Sequence, residues 1–323
     1  MEQISSTSNP LMVLFEEYLK EKYSSHIIDL ITITIKSLVP SEDYSRINID
    51  YKRFGEEIKL WKYYRNGENK ALMNVIEQLN PNVYWSCKDD SVYPRIIPIV
   101  LSNRDFSVIK EEVIKNILFT TGHIETLIEG LLLSKILFYK NLDINSIIPK
   151  LKEEIISLSS ADILNKFKDN FRVPIEVYDG NYFIDFERNK ISGLNTLNLS
   201  FSNKFKVLEE VIKALLGRGD ETHIIAKCVG GCDKDKSYEL DEYYINLSNY
   251  VYKLRNGQIN RDSLIIDKYY LPDVFQYEEG DEFYHSLLKK AIVLKKYETE
   301  YNLVSHIKAK SGTYIFKNSK NLP

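Results

Sequence analysis

The sequence predicts a mainly α-helical protein, a multi-helix bundle with a small β insertion. Several long segments place apolar residues at three-and-four spacing, as helices with one buried face do. One segment, 124–139, is apolar nearly all round, and such a helix belongs in the middle of a multi-helix core. Because no internal repeat or long linker divides the chain, we expect residues 1–254 to form one helical domain, with 255–323 as a C-terminal extension packed on it.

Length and charge exclude several classes of protein. The chain has 323 residues, of which 44% are hydrophobic and 28% charged, as in folded soluble proteins. The 43 basic and 46 acidic residues give a net charge of -3, so no overall basic field recruits nucleic acid or an anionic membrane. Three cysteines do not form a disulfide scaffold, and no apolar run is long enough to span a bilayer. We therefore expect a cytoplasmic protein.

The periodicity assigns most of the chain to helices. The segment 25–39 alternates like a strand at Ile31–Ile35, but its length and the proline at position 40 favour a helix. The predicted helices are 11–19, 25–39, 50–64, 106–118, 124–139, 144–158, 205–216, a short helix ending at Gly230-Gly231, 243–254 and a basic helix at 283–296. Two β-rich runs around Asp-Gly-Asn predict a hairpin at 173–184, and 313–316 is a further strand candidate.

The order of features from Trp61 to Tyr139 resembles the ADP-ribosylglycohydrolase family, helical hydrolases that remove ADP-ribose from modified acceptors. That family has a Met-Arg-x-x-Pro segment, then a helix leading to a Thr-His pair, then a buried alanine-rich helix. Here Arg95 opens the sequence Arg-Ile-Ile-Pro, and Thr121-Gly122-His123 approximates the Thr-His pair before the apolar segment 124–139. The resemblance covers about residues 25–254. It implies an orthogonal multi-helix bundle of the type found in that family, in which Arg95 and His123 contact the substrate.

A later segment resembles the family's Gly-Gly-Asp-Thr-Asp-Thr motif, which supplies metal carboxylates. Its counterpart is Arg-Gly-Asp-Glu-Thr-His at 218–223. The resemblance implies that Asp220 is a magnesium ligand and acts in catalysis with Glu221, and that Gly219 contacts the substrate. It also implies that the chain hydrolyses or binds ADP-ribose linked to a protein or a small acceptor.

The departures from the family pattern favour an alternative. The early Thr-Asp-Asp-Thr motif falls on 25–28, where no carboxylate is in register, and the second metal aspartate of the later motif falls on Thr222. Since magnesium requires several oxygen ligands, Asp220 with or without Glu221 is an incomplete set. His26 and His223 would suit zinc better, if they converge. The alternative function is a catalytically inactive relative that binds a nucleotide or a protein.

Each candidate residue also has a structural interpretation. Asp220 follows a glycine and precedes an apolar run, as a helix N-cap does. Asp89-Asp90-Ser91 is typical of a turn or cap, although it could be a relocated acidic pair. His123 could be a helix-start histidine, and Cys228 and Cys232 lack the second ligand pair of a zinc site. We expect no nucleic-acid or membrane partner.

Overall fold

The computed structural model describes residues 9–20, 25–218, 224–229 and 240–319. These residues form a mainly helical protein with 14 α-helices. The helices are α1 (Pro10–Lys20), α2 (Ser25–Ser37), α3 (Tyr51–Tyr64), α4 (Lys70–Ile76), α5 (Pro81–Ser86), α6 (Val92–Ser102), α7 (Phe106–Thr120), α8 (Ile124–Phe138), α9 (Ile144–Ser157), α10 (Ser160–Lys166), α11 (Tyr182–Leu197), α12 (Lys206–Leu215), α13 (Ile224–Val229) and α14 (Glu242–Arg255). Two short paired strands, β1 (Leu38–Pro40) and β2 (Ile47–Ile49), follow α2.

Side-chain caps explain why several predicted helices begin where they do. Asp50 accepts a hydrogen bond from the backbone N–H of Arg53 at 3.0 Å, and Asp105 accepts one from Ser107 at 2.8 Å. Each carboxylate satisfies one of the N–H groups that an α-helix leaves without a partner in its first turn. The predicted helices at 50–64 and 106–118 are therefore confirmed to within two residues.

Helix α2 forms although isoleucine and threonine alternate in its sequence, as they do in a strand. The hydroxyl of Thr34 donates to the carbonyl oxygen of Leu30, and that of Ser37 to Ile33, both at 2.8 Å. Because these hydroxyls find partners within the helix, both residues can be buried beside the isoleucines. The prediction of a helix at 25–39 is confirmed, with the last residues passing into β1.

Helix α8 occupies the middle of the helical core, as its apolar sequence predicts. It packs against α6, α7, α9, α11 and α12. Gly130 allows one of these contacts, since a Cβ atom there would lie 2.8 Å from Cδ1 of Ile117 on α7. A polar interaction also fixes α12, because the N–H of Leu208 donates to Oε1 of Glu129 at 2.9 Å.

The predicted hairpin at 173–184 is wrong. The structure has a 3-10 turn at Ile175–Val177, and α11 begins at Tyr182. Gly180 adopts a φ of 111°, and the side chain of Asn181 caps α11 by accepting from the N–H of Ile184 at 3.2 Å. The Asp-Gly-Asn sequence therefore forms a turn and a helix N-cap. These residue types are common both in hairpin turns and before helices, and the periodicity of the sequence does not distinguish the two cases.

The predicted basic helix at 283–296 is also wrong, because this segment belongs to a four-stranded antiparallel sheet. The strands β3 (Glu282–His285), β4 (Lys289–Glu298), β5 (Asn302–Ala309) and β6 (Gly312–Ser319) pair in sequence order. Lys289 takes a φ of 64° at the turn between β3 and β4. The strand candidate at 313–316 is confirmed as part of β6.

The sheet carries its own apolar cluster and packs on α3. Phe275, Phe283, Ile307 and Phe316 are buried in this cluster together with Leu60 of α3. Side chains of the sheet thus form a second apolar core beside that of the helices. The predicted boundary between a helical domain and a C-terminal extension at residue 254 stays a prediction. No described helix is long and apolar enough to cross a bilayer.

Candidate ligand-binding cleft

A cleft of about 510 Å³ opens at the end of the bundle where α8 begins. We call it the His123 cleft. It is bounded by the end of α5, the start of α8, the turn before α11 and the first half of α11. The lining residues used below are Trp85, His123, Glu125, Tyr178, Asp185, Arg188, Asn189 and Lys204.

His123 caps helix α8 and stands uncharged in the wall of the cleft. Its Nδ1 accepts a hydrogen bond from the N–H of Thr126 at 3.4 Å, so the neutral ring carries its proton on Nε2. Burial lowers the pKa of His123 to about 4, and the ammonium groups of Lys88 and Lys204 act in the same direction. The helix-start interpretation of His123 is confirmed, and the same residue lines the cleft.

Gly122 allows the chain before α8 to lie against aromatic rings. A Cβ atom at this position would lie 2.5 Å from Cε3 of Trp85 and 2.7 Å from Cε1 of Tyr84. The hydroxyl of Thr121 donates to the carbonyl oxygen of Cys87 at 2.8 Å, and the N–H of Gly122 donates to that of Tyr84 at 2.9 Å. The Thr-Gly-His sequence thus fixes the end of α5 to the start of α8.

Two buried polar atoms among the lining residues have no hydrogen-bond partner within the part of the chain that the structure describes. Trp85 is 4% exposed and Asn189 is 8% exposed. The indole Nε1 of Trp85 and Oδ1 of Asn189 are both unpaired, whereas Nδ2 of Asn189 donates to the carbonyl oxygen of Asp185 at 2.8 Å. Since an unpaired buried polar atom costs about 1–3 kcal/mol, both atoms would be stabilised by a hydrogen-bond partner.

Aromatic rings hold Trp85 in place. Its ring stacks on Phe171 with centroids 5.5 Å apart, and Tyr178 and Tyr182 meet it edge-on at 5.4 and 5.7 Å. Offset stacking and edge contacts of this kind stabilise aromatic clusters beyond their buried area. The indole N–H is therefore presented by a rigid group rather than by a mobile side chain.

The charged groups of the cleft form loose pairs. Nζ of Lys204 lies 3.5 Å from Glu125, and a guanidinium nitrogen of Arg188 lies 3.3 Å from Asp185. Asp185 also accepts from the hydroxyl of Tyr178 at 3.1 Å, and burial together with this carboxylate raises the pKa of Tyr178 to about 12. Exposed pairs at such distances contribute little, so a ligand can exchange them.

Arg95, which the resemblance places at the substrate, lies inside the helical core with none of its side chain exposed. Its Nε donates to Asn116 at 2.9 Å, and its terminal nitrogens donate to Ser91 and Thr120, both at 3.1 Å. The carboxylate of Asp89 lies 3.4 Å away. These contacts fasten α6 to α7, and the substrate-binding role stays a prediction.

Asp89 is confirmed as a turn residue. Its Oδ1 accepts hydrogen bonds from the N–H of Ser91 at 3.0 Å and from Asn69 at 3.0 Å. Burial lowers the pKa of His26, at the start of α2, and the charge of Asp89 opposes that shift. Both carboxylate oxygens of Asp89 already have protein partners, so Asp89 does not supply a free pair of metal ligands here.

The motif residues Gly219, Asp220 and Glu221 lie outside the described residues, as do Thr222, His223 and Cys232. Within the described ranges, no group of three or more His, Cys, Asp or Glu side chains is arranged to hold a metal ion. The assignment of magnesium, with Asp220 as its ligand, therefore stays a prediction.

Comparison with known proteins supplies no family. No protein-family model and no curated sequence matches the chain. The functional argument therefore depends on the cleft. Sequence reasoning identified His123 but missed Trp85, Asn189 and Lys204. No motif links these three residues, and the one available signal was that Trp85 is one of only two tryptophans in the chain.

Proposed function

We propose that the His123 cleft binds an ADP-ribosyl group, free or attached to an acceptor. The observation that carries this proposal is the unpaired pair of buried atoms, Nε1 of Trp85 and Oδ1 of Asn189, beside a histidine at the position where the resemblance expects a substrate contact. The finer fold, an orthogonal bundle of the ADP-ribosylglycohydrolase type, is part of the same proposal.

The chemistry of an ADP-ribosyl ligand matches these groups. Ribose hydroxyls both donate and accept, so they match the hydrogen-bonding character of an indole N–H and an amide oxygen. Lys204 and Arg188 supply two cations for the diphosphate, and their present carboxylate partners at 3.5 and 3.3 Å hold them weakly. A volume of about 510 Å³ lies within the usual range of small-molecule sites.

Binding is proposed ahead of hydrolysis because hydrolysis of the glycosidic bond needs further groups. It requires an activated water and stabilisation of positive charge at the anomeric carbon. The candidate carboxylates Asp220 and Glu221 lie outside the described residues. So do Asp233 and Asp235, which follow Gly230-Gly231 with the Asp-x-Asp spacing of the resembled motif.

The binding experiment is calorimetric titration of the full chain with ADP-ribose. We expect Trp85→Phe, which keeps a six-membered aromatic ring but removes the five-membered ring with its N–H, to weaken binding about fivefold to tenfold. The matched control is Trp61→Phe, because the indole of Trp61 already donates to Asp29 far from the cleft lining. No binding by the wild-type chain, or equal loss in both variants, would overturn the proposal.

Hydrolysis is measured separately, as release of ADP-ribose from a modified protein with and without magnesium. A divalent-dependent release that Asp220→Asn abolishes would assign the metal to the motif at 218–223. Release that only Asp233→Asn or Asp235→Asn abolishes would assign it to the second segment. Binding without release in any condition corresponds to the inactive relative.

A further inference from the structure

A second and larger cavity, of about 600 Å³, lies on another face of the molecule between α2, α14 and β6. We call it the Asp29 cavity. Its walls include Asp29 and Lys36 of α2, Tyr64 of α3, Tyr243 and Tyr244 of α14, and Tyr314 of β6. None of these residues lines the His123 cleft, so the two sites are independent.

Asp29 is a half-buried carboxyl group that forms no ion pair with any cationic side chain among the described residues. One hydrogen bond from the indole N–H of Trp61 to Oδ2, 3.2 Å long, is all that its side chain makes with described residues. Lys36, which lies on the same helix and lines the same cavity, pairs with another carboxylate, since its Nζ lies 2.6 Å from the buried Glu57. Carboxylates removed from water are ordinarily paired with a cation, and this one lines an open cavity instead.

Tyrosines surround the carboxyl group from three elements of the fold. Tyr64 and Tyr314 meet edge to face with centroids 4.8 Å apart, as do Tyr243 and Tyr244 at 5.3 Å. The hydroxyl of Tyr314 pairs with Ser311 at 2.6 Å, while those of the other three tyrosines bond no described residue. Phenol oxygens and ring faces both carry partial negative charge and attract ammonium groups.

We propose that the Asp29 cavity binds an organic cation, whose ammonium group pairs with the carboxylate of Asp29 among the four tyrosines. Lys310 and Lys317 also line the cavity, and both are exposed, so they can accept an anionic group at the far end of the same ligand. The geometry therefore favours a zwitterion with separated charges over a simple cation. The remaining charged group in the wall, Asp241, is the N-cap of α14.

The first test compares ligands of different charge by NMR titration of the full chain. The probes are n-butylamine, its neutral counterpart 1-butanol, the zwitterion 5-aminovalerate, and glucose. We expect n-butylamine to bind at least tenfold more tightly than 1-butanol, and 5-aminovalerate to bind more tightly still. Equal binding of amine and alcohol would overturn the proposal. Preferential binding of glucose would do the same and would identify the cavity as a carbohydrate site.

The second test is the variant Asp29→Asn, with Asp267→Asn, an exposed aspartate outside the cavity, as the charge-matched control. We expect the first to remove the preference for amine over alcohol and the second to keep it. A preference that survives Asp29→Asn overturns the proposal.

A measurement on the unmodified chain keeps the proposal testable if that variant does not fold. Burial raises the pKa of Asp29 to about 7, while the Trp61 hydrogen bond and Lys36 lower it. Tetramethylammonium does not titrate, so its affinity should rise roughly tenfold from pH 6 to pH 8 as Asp29 ionises. An affinity independent of pH across this range contradicts an ion pair with Asp29. None of these outcomes depends on whether ADP-ribose binds at the His123 cleft.

Discussion

Arg95 and Asp29 are both ionisable groups held among the helices, yet their surroundings differ. Arg95 donates to Asn116, Ser91 and Thr120 and faces the carboxylate of Asp89. Asp29 has one neutral donor and an open cavity beside it. A buried charge that stabilises a fold needs charged or hydrogen-bonding partners inside the protein, and Arg95 has them. Asp29, for which we propose a ligand, has one neutral donor among the described residues.

The two tryptophans repeat the contrast. The indole of Trp61 donates to Asp29, while that of Trp85 has no acceptor among the described residues, although only 4% of the residue is exposed. The two buried indoles therefore differ in hydrogen bonding rather than in burial.

Replacing Arg95 with methionine gives the largest expected effect. The change keeps much of the volume but leaves Asp89 buried without its cation, which should lower the free energy of unfolding by about 3–5 kcal/mol. Urea denaturation measures it, with the exposed Arg46→Met as a control expected to stay within about 0.5 kcal/mol. A decrease in the free energy of unfolding below about 1 kcal/mol would contradict a structural role for Arg95.

Asp29→Asn should act in the opposite direction. The folded-state pKa of about 7 exceeds the ordinary 3.8, so the folded protein holds the proton more strongly and loses stability as the pH rises through 7. The asparagine variant escapes this loss. We expect it to be about 2 kcal/mol more stable than the wild type at pH 8 and equal to it near pH 4, allowing for the water that the cavity admits. Thermal unfolding at the two pH values measures this difference. A variant less stable than the wild type at pH 8 would contradict the claim that the carboxylate of Asp29 is unpaired.

Gly122→Ala tests the support behind Trp85. A Cβ atom 2.5 Å from the indole ring forces the aromatic cluster to shift, at a cost of about 1–2 kcal/mol. Gly55→Ala in α3 is the matched control, since its Cβ atom would meet Phe119 no closer than 3.7 Å and alanine favours a helix. Chemical denaturation should show a loss for the first and a gain for the second, and ligand binding at the His123 cleft should weaken only in the first.

Acid should destabilise the protein through two histidines. Burial lowers the pKa of both His123 and His285 to about 4, so the unfolded chain takes up their protons first as the pH falls below about 6.5. Each should remove about 1 kcal/mol of stability between pH 7 and pH 5.5. His285→Asn should flatten part of this decline, as measured by midpoints of urea unfolding, and an unchanged slope would argue against its burial in the uncharged form.

Several elements were predictable because local signals agree with tertiary packing. The helix at 124–139 is apolar on every face and lies in the centre, and Asp50 marks the start of α3 by its side chain. The strands at 283–296 were missed because lysines on the exposed side hide an alternation in which Phe283, Ala291 and Val293 are buried. The turn between them uses Lys289 in a conformation that usually signals glycine.

The sites were less predictable because they assemble residues from distant parts of the chain. His123 follows a recognisable motif, but Asn189 and Lys204 reach the same cleft from α11 and from the segment before α12. The residues that line the cavity with Asp29 come from α3, α14 and β6, and no spacing in the sequence connects them. Only the packing of the helices and the sheet brings these side chains together.

The Asp29 cavity joins helix α2 to strand β6, elements separated by most of the chain. During translation, α2 therefore leaves the ribosome long before the lysines and tyrosine of the last hairpin are synthesised. A nascent chain that lacks β6 has no complete cation site, however well its helices have packed. Occupancy of that site would thus report that synthesis has passed β6 and that the sheet has docked on α3.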